Sequence, residues 1–127
     1  MKSRSLGTTD IEISAIGLGC MPLTKFYEEP DEAEATRAMH RAIELGMTFL
    51  DTADAYTAGT NEAFLGKALA RKRQEVVLAT KFGAVNHATG FEIRGDLEYV
   101  HACCDASLKR LNTDVIDPTI STGSIGA

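Results

Sequence analysis

Two stretches of the sequence decide the fold, Phe49-Leu-Asp-Thr-Ala-Asp-Ala-Tyr56 and, further along, Val76-Val-Leu-Ala-Thr-Lys-Phe-Gly83. Each contains an apolar run that is typical of a buried strand. Asp51 ends the first run, Tyr56 follows five residues later, and Lys81 ends the second run. If the strands are parallel neighbours, the three side chains converge at one edge of the sheet, where an ammonium favours the phenolate and a carboxylate holds the ammonium. The pattern therefore predicts a phenol that gives its proton to a carbonyl oxygen.

The sequence before these stretches predicts a hairpin, a strand and a helix. Residues 4–6 and 11–13 are the arms of a short hairpin, and residues 15–19 form an apolar run that is too short for a helix. Asp31, with Glu34 three residues on, is a helix N-cap with its capping-box partner. The first helix therefore separates the strand at residues 15–19 from the strand that ends at Asp51.

Two further helices and a fourth strand follow. Thr60 or Asn61 caps the second helix, and the third helix covers residues 96–111. A fourth strand starts over residues 114–117, and the polar tail after Pro118 has no strand pattern. The predicted apolar faces are Phe64, Leu65, Ala68 and Leu69 on the second helix, and Leu97, Val100, Cys104, Ser107 or Leu108, and Leu111 on the third.

This alternation of strands and helices predicts an α/β protein. Consecutive strands joined by helices form right-handed parallel units, and uninterrupted apolar strands are typical of a sheet that is buried on both faces. The sequence contains no internal repeat beyond this supersecondary period.

Several motifs resemble those of the aldo-keto reductases. Together they span residues 4–117 almost without a break, and an ordered series is far more specific than any single motif. In the order of that family, the motifs are Ile16-Gly-Leu-Gly-Cys-Met21, Phe49-Leu-Asp-Thr-Ala-Asp-Ala-Tyr56, Asn61-Glu-Ala-Phe-Leu-Gly-Lys-Ala-Leu69, Val76-Val-Leu-Ala-Thr-Lys-Phe-Gly83, Ser107-Leu-Lys-Arg-Leu111 and Thr113-Asp-Val-Ile-Asp117.

The resemblance implies a partial barrel. Members of the family are (β/α)8 TIM barrels, an architecture of about 250 residues, and the chain has 127. We expect the N-terminal half of a (β/α)8 TIM barrel, with about four parallel strands and three helices preceded by a β-hairpin. The expected division is residues 1–117 as a partial aldo-keto reductase barrel and residues 118–127 as a disordered tail outside the family pattern. In the family the fourth strand leads to a catalytic histidine, and this tail has none.

The resemblance also implies a cofactor and residue roles. In the family a hydride passes from NADPH to an aldehyde or ketone while a tyrosine protonates the oxygen. By position, Tyr56 is that general acid, Lys81 assists it, and Asp51 pairs with Lys81 and approaches the nicotinamide ribose. Gly19, Cys20 and Met21, at the end of the first barrel strand, are candidates for backbone contacts with the cofactor. The partner is a small carbonyl substrate.

Three other features have alternative interpretations. Asp54 lies between Asp51 and Tyr56, but we interpret it as a solvated or turn-stabilising group. The pair Gly17 and Gly19 suggests a dinucleotide fingerprint, but the third glycine is missing and Pro22 stands where a helix should run. His87 falls in a predicted long loop after the third barrel strand, where a mobile donor would be poorly positioned to replace the missing histidine.

Composition excludes several classes of partner. A net charge of −5 and a pI near 5.1 argue against nucleic acid and anionic membrane surfaces, which select clustered Lys and Arg. The sequence has no signal-peptide pattern and no apolar run of membrane-spanning length. Cys20, Cys103 and Cys104 lack metal-ligand spacing, and reduced thiols fit a cytoplasmic protein. We therefore expect no metal site.

Two functions remain open. The first is NADPH-dependent reduction of an aldehyde or ketone, impaired in a truncated chain. The second is a catalytically silent fragment that acts as a self-associating or regulatory binding module. An open half-barrel has unpaired sheet edges, which invite self-association.

Overall fold

The computed structural model describes residues 1–25 and 30–122. The strands of the described ranges are, in chain order, β1 (Ser3–Ser5), β2 (Glu12–Ser14), β3 (Gly17–Gly19), β4 (Phe49–Asp51), β5 (Val77–Phe82), β6 (Ala84–His87), β7 (Gly90–Ile93) and β8 (Thr119–Ser121). The α-helices of the same ranges are α1 (Glu32–Glu44), α2 (Thr60–Ala68) and α3 (Leu97–Leu111).

A parallel sheet of four strands forms the centre of the molecule, in the order β3-β4-β5-β8. The helices α1, α2 and α3 connect successive strands of this sheet, as the alternation in the sequence predicted. The antiparallel hairpin β1-β2 precedes the sheet, which confirms the expected opening hairpin. Spatial order thus follows chain order throughout the parallel sheet.

Local capping signals fix the helix ends. The Asp31 side chain accepts hydrogen bonds from the backbone N–H groups of Ala33 and Glu34, and thereby starts α1. The Asp96 side chain accepts from the N–H of Tyr99 and starts α3, which ends at Asn112 in the left-handed conformation, with φ of 49°. The start of α2 differs from expectation, because Gly59 precedes it and no side chain caps it.

The core lies between the sheet and its helices. Leu50 and Leu78 of the central strands belong to one hydrophobic cluster with side chains from all three helices, and these core residues are almost fully buried. The helical members of this core are Ala35, Met39 and Ile43 of α1, Phe64 and Leu65 of α2, and Leu111 of α3. Burial of such side chains is the main stabilising term, about 1.5–3 kcal/mol for each large aliphatic or aromatic group.

The structure corrects three details of the prediction. The fourth strand is Thr119–Ser121 rather than residues 114–117, so the polar stretch after Pro118 does contain a strand. Pro118 has no backbone N–H to donate, but its carbonyl accepts a hydrogen bond from the N–H of Thr80 at 3.3 Å, so Pro118 still pairs with β5. Residues 123–127 of the expected tail lie outside the described residues.

The other two details concern α3 and the segment before it. Leu97 is 73% exposed instead of buried, because it sits in the first turn, before the helix reaches α2. The predicted long loop after β5 is instead the β6-β7 hairpin, an antiparallel pair with Ala84 opposite Ile93. The N–H of Arg94 donates to the Gly83 carbonyl at 2.8 Å and closes the base of this hairpin.

Candidate active site

Asp51, Tyr56 and Lys81 meet at the carboxyl ends of β4 and β5. The Lys81 Nζ lies 2.7 Å from Asp51 Oδ2, 3.1 Å from the Tyr56 hydroxyl and 2.8 Å from the Thr52 carbonyl oxygen. The ammonium also lies 4.8 Å from the centroid of the Tyr56 ring. All three donor positions of the ammonium are therefore engaged, with a carboxylate on one side and a phenol on the other.

The register of the two strands explains this convergence. Asp51 is opposite Ala79, and Lys81 is two residues beyond Ala79, so Asp51 and Lys81 point to the same face of the sheet. Tyr56 begins a short 3-10 turn, Tyr56–Gly59, five residues after Asp51 ends β4. Its N–H donates to the Ala53 carbonyl at 3.2 Å, which folds the chain back toward Lys81.

The turn after Tyr56 carries unusual backbone conformations. Thr57 and Ala58 have φ of 50° and 52°, a region that residues with a Cβ rarely adopt. Hydrogen bonds hold Thr57 in place, since its hydroxyl lies 3.1 Å from that of Thr24 and its carbonyl accepts from the Thr60 hydroxyl. Strained residues of this kind cluster at functional sites.

The charge of Lys81 is stabilised by its partners. Burial by itself lowers the pKa of Lys81, but the hydrogen bonds to Asp51 and Tyr56 and the attraction of both groups outweigh it, so the pKa rises above its usual value of 10.5. The Lys81 side chain is 20% exposed and that of Asp51 is 32% exposed. The cluster therefore holds a permanent ammonium at a site that solvent still reaches.

The three residues at the end of β3 differ in their surroundings. Cys20 is fully buried, its N–H donates to the Asp51 carbonyl at 2.8 Å, and its own carbonyl accepts from the Asn61 amide. Burial raises the pKa of Cys20 to about 12, so the thiol stays protonated. Gly19 is exposed, and apart from its chain neighbours no atom of the described residues lies within 4 Å of where a Cβ would be; Met21 is partly exposed. Cys20 is thus a structural residue, whereas Gly19 and Met21 are accessible to solvent.

Asp54 is not the solvated group that we expected. Its side chain is partly buried, and its Oδ1 is a buried oxygen without a hydrogen-bond partner among the described residues. Burial raises the pKa of Asp54, and contacts with the Ala55 backbone and the Cys103 thiol offset only part of that effect. The Asp54 N–H donates to the Lys81 carbonyl at 3.1 Å, but the Asp54 carboxylate faces Cys103 of α3, so it does not belong to the Asp51, Tyr56 and Lys81 cluster.

His40 and His101 do not join the cluster. His40 of α1 has its Nε2 2.8 Å from the Ala68 carbonyl at the end of α2, and His101 is exposed on α3. The backbone of His87 belongs to β6, and its side chain lies outside the described part of the structure.

Sequence reasoning missed two buried polar residues behind the site, Asn61 and Glu62. Both are 0% exposed in the first turn of α2, where Asp, Glu and Asn usually serve as exposed caps. The Asn61 amide binds Thr52, and the Glu62 carboxylate binds Thr80. The available signal was the presence of a threonine next to Asp51 and another next to Lys81, each of which needs a partner when buried.

The described residues contain no cluster of three or more His, Cys, Asp or Glu side chains that could hold a metal ion. Within the same ranges, no helix has the length and apolar character to cross a membrane.

Comparison with known proteins identifies the family. A model described as the aldo/keto reductase family matches residues 15–120. "Probable aldo-keto reductase 1" of Glycine max is 43% identical over 115 residues, which are 88% of this chain and 33% of that protein. The chain belongs to the aldo/keto reductase family.

Solved structures agree with the fold. An aldo-keto reductase from Bacillus halodurans in its holo form matches with a TM-score of 0.86 and 42% identity, over 98% of this chain and 41% of that one. An aldo/keto reductase from Klebsiella pneumoniae in complex with NADP and acetate matches with a TM-score of 0.69 and 29% identity, over 90% and 38% of the two chains. The four strands and three helices are thus the N-terminal half of a (β/α)8 barrel, as predicted.

Proposed function

We propose that this chain carries the proton-donating part of a site that reduces an aldehyde or ketone to an alcohol with NADPH. The observation that carries the proposal is the Lys81 ammonium, which contacts the Asp51 carboxylate at 2.7 Å and the Tyr56 phenol at 3.1 Å. The related Klebsiella pneumoniae structure holds NADP, which supports a nicotinamide cofactor.

Tyr56 would donate the proton. When bound, NADPH would supply the hydride to the carbonyl carbon, and the phenol O–H bond would break as the proton moves to the carbonyl oxygen. The alcohol and NADP⁺ are the products, and one hydride and one proton account for all added atoms. The Lys81 ammonium donates to the phenol oxygen and stabilises the negative charge that the leaving proton creates there. Asp51 holds the ammonium in that position.

The end of β3 is the proposed contact for the nicotinamide side of the cofactor. Gly19 is exposed, and the space where a side chain would lie is open, so a flat ring can approach its backbone. Met21 is partly exposed beside it and offers an apolar surface. Cys20 contributes indirectly, because its N–H and carbonyl are used by Asp51 and Asn61. Asp51, at the adjacent strand end, is the proposed contact for the ribose.

Substitution of the proton donor tests the proposal. Tyr56→Phe removes the hydroxyl and keeps the ring, so we expect a loss of about 10²- to 10⁴-fold in the rate of NADPH oxidation with a reactive aldehyde. Tyr99→Phe makes the same chemical change on α3, where Tyr99 packs on Arg94, and should leave the rate unchanged. Single-turnover measurement at high protein concentration keeps the comparison possible even for a slow reaction.

Equal rates for the chain and for Tyr56→Phe would contradict the proposed role. We expect the unmodified 127-residue chain to be slow, since Asp51 is 32% exposed and a site that admits water weakens its electrostatic interactions. A slow rate that still depends on Tyr56 supports the proposal.

A second candidate function is a self-associating or regulatory binding module without catalysis. It is favoured by the edges of the parallel sheet, because β3 and β8 each have only one neighbouring strand among residues 1–25 and 30–122. Ile120 in the β8 edge is 41% exposed. Reductase activity that depends on Tyr56 discriminates the two functions. The free thiols of Cys20, Cys103 and Cys104 support a cytoplasmic location for either one.

A further inference from the structure

Two consecutive residues of α2 hold the threonines that adjoin the site. Asn61 and Glu62 are both 0% exposed. The Thr52 hydroxyl donates to Asn61 Oδ1 at 2.6 Å, and the Thr80 hydroxyl donates to Glu62 Oε1 at 2.6 Å. Thr52 follows Asp51 and Thr80 precedes Lys81, so each hydrogen bond lies one residue away from a member of the cluster.

Because side chains alternate along a strand, these hydrogen bonds fix the backbone next to Asp51 and Lys81 from the opposite face of the sheet. Asp51 and Lys81 point to the inner face of the sheet, and Thr52 and Thr80 therefore point to the outer face, toward α2. The Thr52 carbonyl also accepts directly from the Lys81 Nζ at 2.8 Å. A shift of either threonine would therefore move the backbone that carries the ammonium or its acceptor.

Glu62 is a fully buried charge, and α3 supplies its counterion. Arg110 Nε donates to Glu62 Oε2 at 2.7 Å, and Arg110 also donates to the Ser107 hydroxyl at 3.2 Å. A buried carboxylate is costly unless it is paired and hydrogen-bonded, and Glu62 has both kinds of partner. The Arg110 side chain also covers Gly59, the last residue of the turn that begins at Tyr56.

We propose that Glu62, paired with Arg110, is a positioning residue that holds Thr80 and thereby sets the Lys81 ammonium between Asp51 and Tyr56. Arg110 contacts both Glu62 and the backbone of the Tyr56–Gly59 turn, so the same pair fixes the two parts of the site against each other. The catalytic consequence rests on the proposed function, whereas the effect on Lys81 does not.

NMR of protein labelled with ¹³C at lysine Cε tests the proposal, with the Lys81 signal assigned by its loss in Lys81→Arg. Thr80→Val removes the hydroxyl that binds Glu62 and keeps the shape of the side chain. Glu62→Gln removes the charge that pairs with Arg110. In both variants we expect the Lys81 signal to move toward the shifts of exposed lysines and its titration midpoint to fall, because the contacts with Asp51 and Tyr56 loosen. Thr36→Val is the matched control, since the Thr36 hydroxyl donates to the Glu32 carbonyl within α1, away from the site.

The Lys81 signal distinguishes a positioning role of Glu62 from a role in stability alone and from an effect on catalysis. If the variants keep the native near-ultraviolet circular dichroism and the Lys81 signal stays in place, the proposal is overturned. It is also overturned if both variants fail to fold, since Glu62 then serves stability alone. A displaced Lys81 signal in a protein without reductase activity would uphold the positioning role and refute the proposed function. Where activity is present, Thr80→Val should lower kcat by about 10- to 100-fold with little change in KM.

Discussion

At the scale of single residues, the cluster depends on one ammonium that binds both a carboxylate and a phenol. Lys81 contacts Asp51, Tyr56 and the Thr52 carbonyl at once, and these partners together raise its pKa despite partial burial. Because the ammonium keeps its charge across the physiological range, it can serve Tyr56 without any change in its own protonation state. Asp54 lies only three residues from Asp51, but its surroundings disfavour its charged form. Burial raises the pKa of Asp54, and its Oδ1 has no hydrogen-bond partner among the described residues.

Asp54→Asn should stabilise the protein near neutral pH. The folded pKa of Asp54 lies above its usual value of 3.8, so ionisation costs more in the folded chain, and stability is lost as the pH rises through the folded pKa. The neutral amide avoids that cost, and we expect a gain of about 1 kcal/mol or less at pH 7, because the side chain is only partly buried. Urea unfolding at neutral pH, and again below the usual pKa where the gain should vanish, measures the difference.

The control is Asp114→Asn, which makes the same change at an exposed aspartate. An Asp54→Asn gain that is equal at both pH values, or that Asp114→Asn reproduces, would contradict this explanation.

At the scale of elements, α2 and α3 approach each other unusually closely. A Cβ at Gly66 would lie 2.5 Å from the Arg110 carbonyl oxygen and 2.8 Å from the carbonyl carbon of Leu111. These atoms are helix backbone and cannot turn away as a flexible side chain would. The absence of a side chain at Gly66 therefore allows Arg110 to reach Glu62.

Gly66→Ala should consequently force α2 and α3 apart. Overpacking of this kind costs about 1–3 kcal/mol, which outweighs the gain in helix propensity from alanine. Urea unfolding measures the loss. Lys67→Ala, on the exposed side of the same helix, should change the free energy of unfolding by no more than about 0.5 kcal/mol. A Gly66→Ala variant that is as stable as Lys67→Ala would argue against the close approach.

Local signals in the sequence predicted some elements better than others. The Asp31 cap was predicted correctly, because its side chain satisfies backbone N–H groups only two and three residues away. Asn61 and Glu62 could not be predicted as buried, because their partners are Thr52, just after β4, and Thr80 of β5, and only the packing of α2 on the sheet brings them together.

The position of the fourth strand was also beyond local reasoning. The Asp117 N–H donates to the Leu78 carbonyl, but the Leu78 N–H donates to Asp117 Oδ2, which also accepts from Arg73, so a side chain takes the donor that a regular backbone ladder would use. Pairing therefore begins at Thr119, after the proline. The convergence of Asp51, Tyr56 and Lys81 was predictable because parallel strands end at the same edge, whereas their roles in catalysis stay a prediction.

At the scale of the whole molecule, the parallel sheet has two free edges in the described part of the chain, β3 and β8. Ile120 lies in the β8 edge and is 41% exposed, opposite Lys81 of β5. Unprotected edges are ready to pair with another chain. We therefore expect sedimentation at tens of micromolar to give a mass above the 13.6 kDa of one chain.

Ile120→Lys should reduce this self-association, because charged side chains block pairing at an edge. Leu45→Lys places the same charge on another exposed apolar residue, at the end of α1 and away from the sheet edge, and should not change the mass. A rigidly packed monomer of the unmodified chain at the same concentration would contradict the expectation.

The match between spatial order and chain order has a consequence for synthesis. The strands β3, β4, β5 and β8 lie side by side in the order of their synthesis. Each new strand can therefore pair with the free edge of the previous one while the ribosome is still extending the chain. No strand must open an existing pair. Asp51 is made before its cation, so it stays in water until β5 emerges and Lys81 arrives. Limited proteolysis of ribosome-bound chains, halted before and after residue 82 has left the exit tunnel, would detect when this pairing forms.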